Sequence, residues 1–291
     1  MSSVRPETFS ESKTGKEEIE STFKWQMSTD GPETYEECIV STWMDDWALN
    51  LIEAGHIGPN QRVLDVACGT GIMARRAAAL VGPEGRFASV DLNEGMLRVA
   101  CRCAEQTGVT GIEWYHCDVT QMPFSNGEFD IVLCQQGLQF FPDKLGALQE
   151  IKRVLVPHGT LALSVWGRPE NSPHVMVICD VFTEFFGPDS TQMFQVACCL
   201  SSHDLLNDLL REAGFSNISI KTEVKVAHHP SFARFLPAYF SIFPVASLIS
   251  ELTDEERNRM FHCIERRLAP WIEKGALAIP TENNILTAEN G

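Results

Sequence analysis

A chain of 291 residues, 44% apolar and with a formal charge of −16, can form one large domain or a domain with a cap. That acidity excludes a nucleic-acid backbone as the expected partner, because phosphate binding needs a basic face and Lys and Arg nowhere cluster beyond pairs. No apolar run approaches the length of a membrane span, and the acid-bearing start Met1-Ser-Ser-Val-Arg-Pro-Glu7 reads as neither a secretory nor a transit signal.

Residues 1–22 are polar and aperiodic and are expected to be disordered. Residues 23–60 form an N-terminal helical segment. Phe23-Lys-Trp25-Gln-Met27 opens it, Gly31-Pro32 interrupts it, and Tyr35 to Ala54 has a helical period. Trp43, Trp47 and Leu51 fall four apart and are predicted to pack one face on a sheet. The core, residues 61–166, then alternates strand and helix. Arg62 to Ala67 is a buried parallel strand, Gly69 and Gly71 make a turn, and Ile72 to Leu80 is a helix. Arg86–Asp91, Ile112–Asp118, Phe129–Cys134 and Leu161–Trp166 are the next strands. Helices over Leu97–Gly108 and Leu145–Leu155 separate them, and Val156 to Thr160 is a turn.

The alternation breaks at a cap insertion, 167–202, whose apolar helix carries Val175, Ile178, Val181, Phe182, Phe185 and Phe186. Such a helix suits either a greasy small molecule or a dimer contact. Residues 203–226 complete the core with a helix to Gly214 and a strand from Ile218. Residues 227–291 supply a C-terminal cap and the last strand. In it Phe235, Tyr239 and Phe243 repeat at helical spacing, Thr253 and Glu256 form a capping box, and Ala276–Pro280 is the expected strand before a polar tail.

The chemistry-bearing residues sit where strands end. Glycines after the first strand permit positive φ and close approach of a ligand. Asp91 offers two acceptor oxygens to the hydroxyls of a ribose, or else caps the following helix. Asp118 is a second ligand candidate, or a turn-former. Gln135 to Asp143 brings polar groups to the carboxyl end of the fourth strand, where doubly wound sheets bind ligands. His174 is the one nearby group able to exchange a proton near neutral pH, with a structural role as the alternative. Ten cysteines include no C-x-x-C pair and no zinc-like spacing, so free thiols, no metal site and a reducing cytoplasmic setting are expected.

Four segments occur in order: Asp65-Val-Ala-Cys-Gly-Thr-Gly71, Val90-Asp-Leu-Asn-Glu-Gly-Met-Leu97, Cys117-Asp-Val119 leading to Met122-Pro-Phe124, and Gln135-Gln-Gly-Leu-Gln-Phe-Phe-Pro-Asp143. Over roughly residues 35–220 they resemble the class I S-adenosylmethionine-dependent methyltransferases, of the small-molecule, ubiquinone/menaquinone-biosynthesis type. Val156-Pro-His-Gly-Thr160 is similar to the family's L-x-P-G-G, with His158 replacing a glycine. The resemblance implies an α/β fold, a doubly wound, mostly parallel, seven-stranded Rossmann-like sheet with a helical cap. It implies S-adenosyl-L-methionine as cofactor, held by Asp65, Ala67, Gly69, Thr70 and Gly71. Asp91 would take the ribose, Leu92 and Met96 the adenine faces, Asp118 and Val119 the adenine edge, and Cys134 or Gln135 the methionine end. Tyr35 or Trp25 would close over the cofactor, and Gln136 or Gln139 would touch the acceptor.

The reaction implied is in-line displacement onto a small, apolar organic acceptor, which asks mainly for positioning and exclusion of water. Two alternatives share the cofactor segments. A non-catalytic or repurposed binder of the same cofactor would have a blocked acceptor side. An NAD-linked oxidoreductase fits the Gly69–Ala74 turn, but leaves Asp118-Val119 and Gln135–Asp143 unexplained.

Overall fold

The computed structural model describes residues 31–241 and 245–291. The polar tail, the Phe23–Met27 segment with Trp25, and Phe243 lie outside the described residues.

Strands β1 (Arg62–Val66), β2 (Arg86–Asp91), β3 (Ile112–His116), β4 (Phe129–Gln135) and β5 (Leu155–Trp166) pair in parallel. Their central residues, such as Val63, Leu64, Ala88, Val132 and Leu163, are buried, as a sheet covered by helices on both faces requires. The sheet runs β3-β2-β1-β4-β5-β8-β6. Here β6 is Phe215–His229 and β8 is Ala276–Asn290, antiparallel to both its neighbours; the two-residue β7 (Ile272–Glu273) pairs only with β8. The order reverses between β1 and β4, which puts the ligand crevice at their carboxyl ends.

The last strand is three times the expected length. Thr281-Glu-Asn-Asn284, which reads as polar tail, is buried at the middle of β8. Each group there has found a partner. The Glu282 carboxylate accepts from Arg168 N–H and Asn171 Nδ2, and Asn284 Nδ2 donates to the Ser201 carbonyl at 2.9 Å. The expected turn at Val156–Thr160 is absorbed into β5, where His158 takes φ 61° and the pairing with β4 slips between Phe129 and Ile131.

The predicted helix over Tyr35–Ala54 is three pieces: α1 (Gly31–Tyr35), a π-helix (Glu36–Met44) and α2 (Asp45–Gly55). The wider π turns rotate Trp43 away from Trp47. Trp47 and Leu51 pack on the sheet with Met73 and Phe87, whereas Trp43 turns into the cap. With α3 (Ile72–Val81), α2 covers one face of the sheet. The other face is covered by α5 (Lys144–Val154) and α8 (His203–Glu212).

The cap comes from two insertions. One lies between β5 and α8 and contains α6 (Pro173–Phe186) and α7 (Gln192–Ala197). The second lies between β6 and β8 and contains α9 (Phe232–Ser241), α10 (Ala246–Ser250) and α11 (Asp254–Leu268). Phe182, Phe194, Phe235, Phe240, Met260 and Ile264 share its core with Ile39 and Trp43 of the π-helix. No helix among the described residues is long and apolar enough to cross a membrane.

Candidate active site

A cavity of about 1000 Å³ lies over the carboxyl ends of β1, β2 and β4 and under the cap. One end is lined by Ala67, Gly69, Asp91, Leu92, Met96, Asp118 and Val119. Asp91 is pinned there: Oδ2 accepts the Gly69 N–H and Oδ1 the Asn93 N–H, each at 2.8 Å. Each oxygen keeps a second lone pair for a ligand hydroxyl. Asp91 does not cap α4 (Glu94–Gln106); Asn93 does, accepting from Gly95 and Met96. Burial raises the Asp91 pKa, opposed by those N–H bonds and by the charge of His116. Asp118 Oδ1 accepts both the N–H and the hydroxyl of Thr120 at 2.8 Å.

Asp65, Thr70, Gly71 and Cys134 do not line the cavity. The Asp65 side chain is fully buried, and neither carboxylate oxygen has a hydrogen-bond partner among the described residues. Burial and the charge of Asp91 hold its pKa well above the usual carboxylate range. An uncompensated buried acid of this kind fits a cationic ligand nearby, and a sulfonium with an α-ammonium is one. Burial likewise raises the Cys68 thiol and pushes Cys134 up to about 12, so both are neutral thiols rather than nucleophiles. A Cβ on Gly71 would sit 2.7 Å from the Trp114 ring. Gly69 by contrast opens toward the cavity, with Tyr35 Cε1 3.8 Å from that position.

The other end is aromatic. Trp43 packs edge-on to His174 with ring centroids 4.9 Å apart, and Tyr239 lies 5.7 Å from His174 and 6.0 Å from Trp43. Ile39, Met44, Trp166 and Val175 complete the wall. Burial lowers the His174 pKa to about 3, so the imidazole is neutral, and its Nδ1 has no partner among the described residues. The charged side chains lining the cavity come from residues 91–98, 116–118 and 143; the segments that build the aromatic end contribute none.

The two candidate glutamines separate. Gln136, with φ 55°, lines the cavity and meets the Asn283 side-chain amide at 2.8 Å. Gln139 is fully buried behind it, donating to Gln136 Oε1 at 2.8 Å, and does not reach the cavity. Gln135 also lines the cavity and donates to the Met44 carbonyl at 2.9 Å. Sequence reasoning missed Trp43, Trp166 and Tyr239 as wall residues. Trp43 reads as packing on the sheet, Trp166 as a strand end and Tyr239 as ordinary core, and only the chain's return over the sheet brings them together.

A methyltransferase-domain family model matches residues 63–159. The ubiquinone/menaquinone biosynthesis C-methyltransferase UbiE of Ectopseudomonas mendocina is 30% identical over 185 residues, covering 60% of this chain and 72% of that protein. The same enzyme of Pseudomonas savastanoi pv. phaseolicola is 31% identical over the same shares. In fold, the chain is similar to phosphoethanolamine N-methyltransferase 2 of Haemonchus contortus solved with S-adenosyl-L-methionine (TM-score 0.56, 17% identity, 90% of this chain and 57% of that one). It is also similar to the YcgJ protein of Bacillus subtilis (TM-score 0.53, 16% identity, 84% and 98%). With the glycine turn, the strand-end acids and the sheet order already described, these matches make the chain a class I S-adenosylmethionine-dependent methyltransferase, a member of the ubiquinone/menaquinone biosynthesis C-methyltransferase family.

Proposed function

We propose that this methyltransferase acts on a small, uncharged, ring-bearing organic acceptor held in the aromatic end of the cavity. The observation that carries the reading is the division of charge: acids and glycines at one end, edge-packed rings without a charged side chain at the other. A phosphorylated or carboxylated acceptor would have to shed its hydration there with no cation among the described residues to receive it. The relatives' names specify carbon methylation in quinone biosynthesis, and a flat ring acceptor suits this wall.

S-adenosylmethionine supplies the electrophilic methyl group, on a sulfonium. In this reading Asp91 binds the ribose, and Leu92, Met96, Asp118 and Val119 hold the adenine. Asp65, Ala67, Gly69, Thr70, Gly71, Cys134 and Gln135 form the methionine side, with Asp65 acting through charge from behind the wall. Tyr35 covers the glycine turn, and Gln136 is the polar group offered to the acceptor. The cap excludes water, and orientation does most of the remaining work.

The test is methyl transfer from labelled S-adenosylmethionine to paired acceptors, neutral phenols and quinols against their phosphate esters and carboxylates. Turnover is expected with the neutral set. Preference for the anionic set, or no transfer to any of them by a chain that binds S-adenosylhomocysteine, would overturn the acceptor assignment. Product NMR then identifies the methylated atom.

A further inference from the structure

The wall segment from Tyr35 to Met44 serves both ends of the cavity. Tyr35 stands over the glycine turn, while Ile39, Trp43 and Met44 line the aromatic end. It is fastened at two places, once to the glycine turn through α3 and once to the end of β4. At its start, Arg75 of α3 reaches in two directions: Nη1 donates to the Thr70 carbonyl at 2.5 Å and Nη2 to Glu36 Oε1 at 2.6 Å. Its far end is held by the bond from Gln135 to the Met44 carbonyl.

The Arg75–Glu36 pair differs from its neighbours. Arg102–Glu33 and Arg76–Asp45 also join this region to the core, but their arginines are half exposed, and surface pairs of that kind contribute little. The Arg75 side chain is only 8% exposed and that of Glu36 20%. A planar guanidinium that bridges two fixed acceptors transmits geometry as well as charge. The segment it holds is a nine-residue π-helix, a geometry found mostly as single turns at functional sites.

We propose that Arg75 is a positioning residue that couples the glycine turn to the acceptor wall, so that the aromatic chamber assembles when the cofactor end is filled. The coupling rests on the cofactor assignment above. A ligand that orders the turn fixes the Thr70 carbonyl, which fixes the Arg75 fork, which fixes Glu36 and the π-helix carrying Ile39, Trp43 and Met44. The wall would then close after the cofactor end is occupied, giving an ordered sequence of binding.

Hydrogen exchange on the full chain, with and without saturating S-adenosylhomocysteine, tests this without an acceptor. In the wild type the ligand should slow exchange over residues 86–96 and, by about tenfold, over 36–44. In Arg75→Gln at saturating ligand, slowing over 86–96 should persist while that over 36–44 is lost. Arg75→Lys should restore it in part, because an ammonium can reach one target but not span both. Glu36→Gln should reproduce the Arg75→Gln pattern, and it decides the matter if Arg75→Gln does not fold. Protection over 36–44 that ignores the ligand in wild type, or that survives either substitution, overturns the coupling alone. A folded wild-type chain that binds no S-adenosylhomocysteine overturns the cofactor assignment and the coupling with it.

Discussion

Asp91 Oδ2 accepts the Gly69 backbone N–H at 2.8 Å, so the acid that ends β2 holds the turn that follows β1. One side chain thereby shapes the loop and faces the ligand. Asp91→Ala should weaken S-adenosylhomocysteine by tenfold or more, in the range expected for losing charge-assisted hydrogen bonds. Asp91→Asn should recover little, because its NH2 must face one of the two N–H donors that the carboxylate now satisfies. Calorimetric titration of the three proteins measures this.

The two glycines of the turn should fail differently. Both have positive φ, 54° at Gly69 and 80° at Gly71, so alanine at either is strained by about 1 kcal/mol or more. Gly71→Ala also drives a methyl into Trp114 and should lower the thermal midpoint strongly. Gly69→Ala should fold nearly as well but lose ligand affinity, since its methyl points into the cavity. Thermal melts paired with titration separate the two outcomes.

Asp65 should cost stability in the free protein. A carboxyl whose folded pKa is raised binds its proton more tightly folded than unfolded, so stability falls as pH rises from the ordinary carboxylate range to the raised folded value. Asp65→Asn removes that loss. At pH 7 the variant is expected to melt higher than wild type and to bind S-adenosylhomocysteine more weakly. A variant that melts lower at pH 7 would contradict the uncompensated charge.

His174 has the opposite sign. Its folded pKa of about 3 lies below the ordinary 6.5, so the unfolded chain takes up a proton that the folded chain refuses. The stability this neutral ring contributes is complete above 6.5 and is lost as pH falls from 6.5 toward 3. His174→Gln should narrow the gap to wild type as melts are moved from pH 7 to pH 4. Because the ring belongs to the aromatic end, S-adenosylhomocysteine affinity should stay within about twofold, a difference of under 1 kcal/mol.

The core sheet was legible because its signals are local. Apolar runs such as Val63-Leu64 and Ile131-Val132-Leu133 mark the strands, and every core strand but β3, which runs through a turn into β4, is followed by a helix. The aromatic chamber was not legible, since Trp43, His174 and Tyr239 lie on three elements that meet only in the folded cap. The π-helix was hidden for a related reason: Trp43, Trp47 and Leu51 keep helical spacing, and it is the packing of Trp43 in the cap that shows the register change. Residues 281–284 misled through composition. Glu282 and Asn284 are polar because they bind Arg168, Asn171 and Ser201, not because they face water.

The placement of β8 between β5 and β6 also bears on how the protein is made. Ribosomal synthesis delivers β6 before β8, yet among the described strands β6 pairs with β8 alone. A nascent chain that has reached residue 270 therefore presents two open edges, β5 and the 15-residue β6, with Val224 and Val226 exposed on the latter. Unpaired edges of this length invite association with other chains. Both edges are closed only when β8 enters between them and pairs with each.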